Sequence, residues 1–288
     1  MILNTIILGL IFSILGFGIF ISFKILNFTD LTAEASFTLG AAISIMLCQY
    51  DLAILGIIGS LIGGAFAGFI TAILHTKLKI DKVLAGILTL TAFYTINLWV
   101  TKLDPNIMLE KSNRTIFFQN NDILSLLVIF LIVVAIIIFL IFFFKTKMGL
   151  SIRACGDNEV MIETLNVDID KLKILGLMLS NMLIALSGAI FAQYQRYYDS
   201  SFGVGMMVVG VATIIIGEAL IRYRHNLKIM LVAIAIGSII YRFIYLGVLH
   251  IAGEPTAMKL ISALAIIACI CLSKVKIKRK GGKKVCLK

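Results

Sequence analysis

Three ionisable side chains, Glu34, Glu218 and Arg242, lie in stretches of sequence that are otherwise apolar. Within a bilayer such groups are costly unless they are paired or hydrated, so each is a candidate for ion coupling or solute binding. Glu218 precedes Arg222 by four residues, which predicts an ion pair on one helix face. For Glu34 and Arg242 two interpretations stay open, contact with the polar membrane surface or a position on a solute pathway. On such a pathway, Arg242 would pair with a carboxylate.

Motifs for enzymatic chemistry are missing from the chain. It contains no G-x-x-x-x-G-K-[ST] phosphate loop, no H-E-x-x-H zinc motif and no G-x-S-x-G nucleophile turn. The five cysteines include no C-x-x-C pair, so we expect neither a metal site nor a dithiol site. The sequence therefore favours a protein that is not an enzyme and has no nucleotide site of its own.

The composition predicts which kind of secondary structure holds these residues in place. Of the 288 residues, 60% are hydrophobic and 14% are charged, and only two are proline. Soluble domains are about 45–50% apolar and about 25% charged, and a soluble fold of this size cannot bury so much apolar surface. We therefore expect an all-α, polytopic integral membrane bundle.

Nine segments have the length and apolar character of a membrane span, which needs about 20 residues. The second is the least regular, because Thr32, Glu34 and Ser36 lie near its start, and we expect Asp30–Phe37 to be broken or re-entrant. We therefore predict about eight or nine membrane spans. The segments are Ile2–Phe23, Leu31–Tyr50, Leu52–Leu74, Val83–Thr101, Ile123–Phe144, Ile174–Ala192, Val204–Ile221, Ile229–Leu249 and Thr256–Leu272.

The distribution of Lys and Arg predicts the orientation. With the C-terminus placed inside and the spans alternating, 20 of the 26 basic residues lie on the inner side. This asymmetry favours an external N-terminus and a cytoplasmic C-terminus. It also explains the net charge of +11 without nucleic acid as a partner. We divide the chain into one membrane domain, residues 1–273, and a basic cytoplasmic tail, residues 274–288, placed against anionic headgroups.

The third segment carries small residues at four-residue spacing, Gly56, Ser60, Gly64 and Gly68. Residues four apart share one helix face, and small side chains allow two backbones to approach closely. We expect this row to pack helices together; a sliding surface in a transport cycle is the alternative.

Two loops are long enough to contact other proteins. The outer loop, residues 102–122, is available to an extracytoplasmic partner. In the inner segment, residues 145–173, Gly156, Asp157 and Asn158 precede a short amphipathic helix that ends before Asn166. The apolar face of this helix favours docking to a soluble partner, and a connector lying flat on the membrane is equally consistent with the periodicity.

At the outer end of the sixth segment, polar and aromatic residues predict an aromatic belt at the membrane interface. These residues are Gln193, Tyr194, Gln195, Tyr197 and Tyr198.

The inner segment Arg153–Lys173, followed by Ser180 and Ser187–Ala189, resembles the coupling segment of the branched-chain amino acid and sugar permease superfamily of ABC importers. The chain is most similar to the tryptophan/tyrosine-type ABC transport permeases. The other stretches that carry this resemblance are Asp30–Ala41, Leu74–Ile80 with Leu84–Thr89, Ile216–Leu220, and Gly237–Phe243.

The resemblance implies a permease subunit in a bacterial inner or plasma membrane, working as a homodimer. A cytoplasmic ABC ATPase dimer, carrying ATP and Mg, would grip the inner helix, and an extracytoplasmic solute-binding protein would deliver an amino acid, aromatic or branched-chain. The implied coupling residues are Arg153, Gly156, Asp157, Asn158, Glu159, Met161, Glu163 and Leu165. The alternative is a stand-alone carrier driven by protons or sodium, with Glu34 and Arg242 as its working groups.

Overall fold

The computed structural model describes residues 2–110, 113, 115–117, 122–165, 167–220 and 226–252. Ten α-helices and two short strands make up this part of the chain. They are α1 (Ile2–Ile19, continuing as a π-helix over Phe20–Ile25), α2 (Thr32–Cys48), α3 (Ala53–Thr76), α4 (Lys82–Val100), β1 (Asn106–Met108), α5 (Asp122–Phe143), α6 (Lys147–Asp157), α7 (Glu159–Thr164), α8 (Ile169–Gln195), β2 (Tyr197–Asp199), α9 (Met206–Leu220) and α10 (Leu227–Ala252).

Six helical stretches are long and apolar enough to cross a membrane, and the expected helical membrane bundle is confirmed to that extent. They are Ile2–Ile25, Ala53–Thr76, Lys82–Val100, Asp122–Phe143, Ile169–Gln195 and Leu227–Gly247. The predicted second and seventh spans correspond to shorter apolar helices, α2 and α9. The predicted ninth span, Thr256–Leu272, and the tail 274–288 lie outside the described residues.

The core of the bundle is built around α1 and α8. Both are largely apolar, and both are buried over most of their length, as expected for helices enclosed by other helices. Helix α8 packs against α1, α2 and α3, whereas α5 lies at the periphery and is mostly exposed. At one end of the bundle lie α6 and α7, which we call the α7 end; at the other lie β1 and β2, the strand end.

Close helix approach depends on the small residues of α3. A methyl group added at Gly64 would collide with the backbone oxygen of Asn181, and one added at Gly68 with that of Leu177, both in α8. Gly56 lies against Ser44 of α2, and Ser60 is fully buried. The row Gly56, Ser60, Gly64 and Gly68 therefore lies in the contact of α3 with α2 and α8.

The break before α2 is shorter and earlier than the sequence indicated. The π-helix ends at Ile25, Asn27 adopts a left-handed φ of 51°, and α2 is regular from Thr32 onward. Asn tolerates this conformation better than most residues. The irregular stretch is thus residues 26–31, and the expectation of broken structure through Phe37 is wrong.

A small sheet at the strand end was not expected from an all-α pattern. Strands β1 and β2 pair antiparallel, with Ile107 opposite Tyr198. Arg196, which ends α8 with a left-handed φ of 59°, donates hydrogen bonds to the backbone oxygens of Glu110 and Asn113. These contacts fix the loop after α4 against the end of α8.

The predicted aromatic belt is wrong for two of its members. The Gln193 side chain is fully buried and donates to Ser44 Oγ and to the Ala53 backbone oxygen, both at 2.9 Å. Tyr198 is also fully buried, within β2. A buried glutamine needs partners from neighbouring chain segments, and the sequence pattern does not reveal which segments meet it.

Candidate functional site

The inner segment forms two consecutive helices rather than one. Helix α6 begins at a Thr146 cap and ends at Asp157, and α7 follows directly with Asn158 as its cap, whose side chain accepts from the Met161 amide at 3.2 Å. Gly156, expected to cap the predicted helix, instead lies near the end of α6. A methyl group at Gly156 would overlap the Ile25 backbone oxygen, so this residue brings α6 against the π-helix.

Helix α7 is anchored on one side and open on the other. Ile162 is buried, and Lys173 at the start of α8 binds Glu159 at 2.8 Å. The opposite face is apolar and exposed, with Val160, Met161 and Leu165 between 57% and 68% accessible. Arg153, Asp157, Asn158 and Glu163 are exposed nearby. An apolar face held in a fixed orientation outside the bundle is suited to packing against another protein.

The Glu159–Lys173 pair fixes the position of α7. Partial burial of Glu159 raises the pKa of its carboxyl, but the hydrogen bond and charge of Lys173 outweigh this effect, so that the pKa lies below its ordinary value. Because the folded pKa is lowered, the stabilisation from the pair is present at neutral pH and is lost as the pH falls through that lowered pKa.

A polar network that sequence reasoning missed lies at the start of α2. Asp30 is 1% exposed; one of its carboxylate oxygens accepts from the Thr32 amide at 2.9 Å, the other from Asn181 Nδ2 at 2.6 Å. Asn181 Oδ1 in turn accepts from Ser36 at 2.7 Å. The hydroxyls of Thr32 and Thr71 are 2.7 Å apart. This network joins the break before α2 to α3 and α8.

Two signals for the network are present in the sequence. Asn181 interrupts a long apolar run, and a buried amide requires hydrogen-bond partners. Asp30 is the first residue of the predicted break, where freed backbone groups also need partners. What the sequence does not give is that these two positions meet, since they are 151 residues apart.

Glu34, a residue of α2, caps the N-terminus of another helix, α9. Its carboxylate accepts from the Gly205 amide at 3.0 Å and also from the Met207 amide, at the start of α9. A negative charge at a helix N-terminus is favourable. Glu34 therefore ties α2 to α9, while its side chain keeps partial exposure.

Arg242 lies between two aromatic rings. The guanidinium carbon is 4.9 Å from the centroid of Phe12 and 4.9 Å from that of Tyr245. Such cation–π contacts contribute on the order of 0.5–2 kcal/mol each. Among the described residues, no carboxylate lies within ion-pair distance of this guanidinium.

Glu34 and Arg242 are not in direct contact. They are connected by a run of packed rings, in which Phe12 stacks on Phe191 at 5.8 Å and Phe191 contacts Phe202 at 5.1 Å. Phe202 adjoins Gly203, which packs on the Glu34 backbone oxygen. The two residues that the sequence singled out thus border one aromatic cluster.

The third intramembrane ionisable group, Glu218, has a partner that the sequence did not indicate. Glu218 pairs with Lys24 at 2.8 Å, across from α9 to the π-helix. Its predicted partner, Arg222, lies outside the described residues. In the part of the chain that the structure describes, no three His, Cys, Asp or Glu side chains come together as metal ligands.

Comparisons with known proteins agree with this architecture. Residues 1–271 match the model of the branched-chain amino acid transport system permease component. A tyrosine transport system permease protein of Clostridioides difficile (strain R20291) is 36% identical over 277 residues, covering 94% of this chain and 91% of the relative. An uncharacterized protein of Rickettsia prowazekii (strain Madrid E) is 32% identical over 263 residues, covering 90% and 92%.

A solved structure has a similar fold. PsaBC from Streptococcus pneumoniae, determined in complex with Fab, aligns with a TM-score of 0.53 and 15% sequence identity, covering 94% of this chain and 88% of that chain. The family match covers nearly the whole sequence and accounts for the apolar helices described above. The chain therefore belongs to the branched-chain amino acid transport permease family, and it is a multi-pass membrane permease component of an ABC transport system.

Proposed function

We propose that this permease imports an aromatic amino acid, with tyrosine as the first candidate, and that a separate ABC ATPase drives it. The observation that carries the coupling part of the proposal is the exposed apolar face of α7, formed by Val160, Met161 and Leu165. In this account α7 fits into a groove of the ATPase, which binds ATP and Mg. Movement of the ATPase dimer then pushes α6, α7 and the start of α8.

The proposed assembly contains two permease chains, two ATPase subunits and one extracytoplasmic solute-binding protein. The α7 end is cytoplasmic and the N-terminus external, in agreement with the basic residues near the α7 end, such as Lys24, Lys77 and Lys82. The strand end then faces outward, where β1, β2 and the loop held by Arg196 offer a surface to the binding protein. The full count of eight or nine spans belongs to the same proposal.

The choice of solute has two supports. The Clostridioides difficile relative is named for tyrosine transport. Arg242, flanked by Phe12 and Tyr245, presents a guanidinium beside aromatic rings, and this combination suits a carboxylate attached to an aromatic side chain.

The solute is tested by uptake in cells that lack other aromatic amino acid importers and express the complete transport system. We expect saturable uptake of labelled tyrosine, which excess phenylalanine or tryptophan reduces at least twofold more than excess leucine. Arg242→Gln should raise the half-saturating tyrosine concentration about tenfold, the loss of roughly one charged hydrogen bond. Uptake of leucine in place of tyrosine would contradict the aromatic assignment, and unchanged affinity in Arg242→Gln would remove Arg242 from the site.

A further inference from the structure

A cavity of about 180 Å³ lies at the α7 end, between the π-helix, α6 and the start of α10. One water molecule occupies roughly 30 Å³, so the cavity has room for a small polar group. Three of its lining residues are charged, namely Lys24, Arg153 and Asp157. Arg153 and Asp157 are four residues apart in α6 and therefore share one face of that helix. The cavity thus presents charges of both signs.

The π-helix brings three of its six residues to this cavity. Its hydrogen bonds run from residue i to residue i+5, so Phe20, Lys24 and Ile25 lie on one face. Gly156 holds α6 against the same helix, since a methyl group at this position would overlap the Ile25 backbone oxygen. The charged face of α6 and the lining face of the π-helix are therefore packed together.

The cavity lies where the apolar core of the bundle ends. Lys24 is one residue from the end of the apolar stretch Ile2–Ile25, and Leu227 is the first residue of the candidate span Leu227–Gly247. Besides its charged residues, the cavity has an apolar part of the lining. The apolar lining residues are Phe20, Ile25, Leu227 and Met230. A mixed lining at this depth is suited to a lipid, whose polar headgroup and acyl chains meet at the same level.

The charges around the cavity are nearly balanced. Lys24 Nζ is 2.8 Å from a carboxylate oxygen of Glu218, which offsets its charge. Arg153 and Asp157 add one positive and one negative charge. A guanidinium binds a phosphate through two parallel N–H donors, and a carboxylate accepts hydrogen bonds from an ammonium group. A headgroup with both a phosphate and an ammonium group therefore fits this lining better than a purely anionic one.

We propose that this cavity, which we call the α6–α10 cavity, binds the headgroup of a phospholipid such as phosphatidylethanolamine. Arg153 binds the phosphate, Lys24 is a second donor to it, and Asp157 accepts from the ammonium group. The apolar lining residues contact the first carbons of the acyl chains. The proposal goes beyond the transport function proposed above, since it requires only that the α7 end lies at a membrane surface.

Lipid binding by the complete transporter tests the α6–α10 cavity. The transporter is purified in detergent, freed of lipid and mixed with phosphatidylethanolamine, and native mass spectrometry gives the fraction of permease chains that retain a lipid. Arg153→Gln is compared with Lys147→Gln, which removes an exposed positive charge from the start of the same helix. We expect Arg153→Gln to raise the apparent Kd about tenfold, the loss of roughly one charged hydrogen bond, and Lys147→Gln to leave it unchanged.

Two further measurements identify the ligand. The parent should bind phosphatidylethanolamine at least threefold more tightly than phosphatidylglycerol, whose headgroup has no ammonium group. Asp157→Asn should lose this preference, and the ratio is measured within one protein, so it does not depend on the amount that folds. Inorganic phosphate at the concentration of the lipid should not displace it, because free phosphate makes none of the apolar contacts.

Equal lipid binding by Arg153→Gln and Lys147→Gln would overturn the proposal, and so would displacement by inorganic phosphate or tighter binding of phosphatidylglycerol. Loss of the ATPase from Arg153→Gln with the lipid retained would assign Arg153 to ATPase docking, and would also overturn it. None of these outcomes depends on uptake. Failure of the parent complex to transport tyrosine would refute the proposed function and leave the lipid site standing.

Discussion

Met161→Glu is expected to abolish association with the ATPase and to reduce solute uptake at least tenfold. Met161 is 57% exposed on α7, so a glutamate at this position is tolerated by the isolated permease. In the proposed complex the same side chain is covered by the ATPase, and a buried carboxylate without a partner is strongly unfavourable. Co-purification of the ATPase with tagged permease, at equal permease levels in the membrane, measures the effect.

Met108→Glu is the matched control for this substitution. Met108 is 81% exposed in β1, at the opposite end of the bundle, and receives the same change of size and charge. Its ATPase association should equal that of the parent. If Met161→Glu co-purifies with the ATPase as well as Met108→Glu does, α7 is not the docking element.

Asp30→Ala is expected to destabilise the permease by about 2–4 kcal/mol. The substitution removes the acceptor of the Thr32 amide and of one N–H of the Asn181 side chain, whose other N–H still donates to the Leu177 backbone oxygen. Each unsatisfied buried group costs about 1–3 kcal/mol. Thermal unfolding in detergent, followed by the fraction of protein that stays monodisperse, measures the loss. Transport should fall with it, because the network joins the start of α2 to α8.

Two further variants give this prediction its controls. Asp30→Asn keeps the shape and one acceptor oxygen, so it should retain more than half of the stability that Asp30→Ala loses. Asp104→Ala removes an exposed aspartate after α4 and should leave stability unchanged. Equal stability of Asp30→Ala and Asp104→Ala would contradict the role assigned to the buried network.

Much of the fold could be predicted because apolar runs of sufficient length have few alternatives to membrane helices. Eight of the predicted segments contain a helix in the described residues, and the helix after Asn158 begins where its capping side chain indicated. Helix α6, Lys147–Asp157, was missed because it is short and mixes charged and apolar side chains, although Thr146 supplies the N-cap that marks its start. The β1–β2 pair was missed because each strand has only three residues.

The candidate site was less predictable, because the contacts that define it join distant parts of the chain. Glu34 and Arg242 could be selected as ionisable groups in apolar segments. Their partners, the α9 backbone for Glu34 and the rings of Phe12 and Tyr245 for Arg242, follow only from the folded arrangement. Similarly, the sequence does not indicate that Glu159 forms an ion pair with Lys173. Charge reversal at Glu159 would therefore disturb the anchoring of α7 as well as any docking, which makes Met161 the cleaner position to test.

Tyrosine accumulation by purified components in liposomes tests most directly whether a separate ATPase drives this permease. The permease is reconstituted with or without its ATPase, with ATP and Mg inside and the solute-binding protein outside. We expect tyrosine to accumulate against its gradient only when permease, ATPase, ATP and binding protein are all present, and a sodium or proton gradient should give no accumulation in their place. Accumulation by the permease alone under an ion gradient would contradict the account and identify the chain as a secondary carrier.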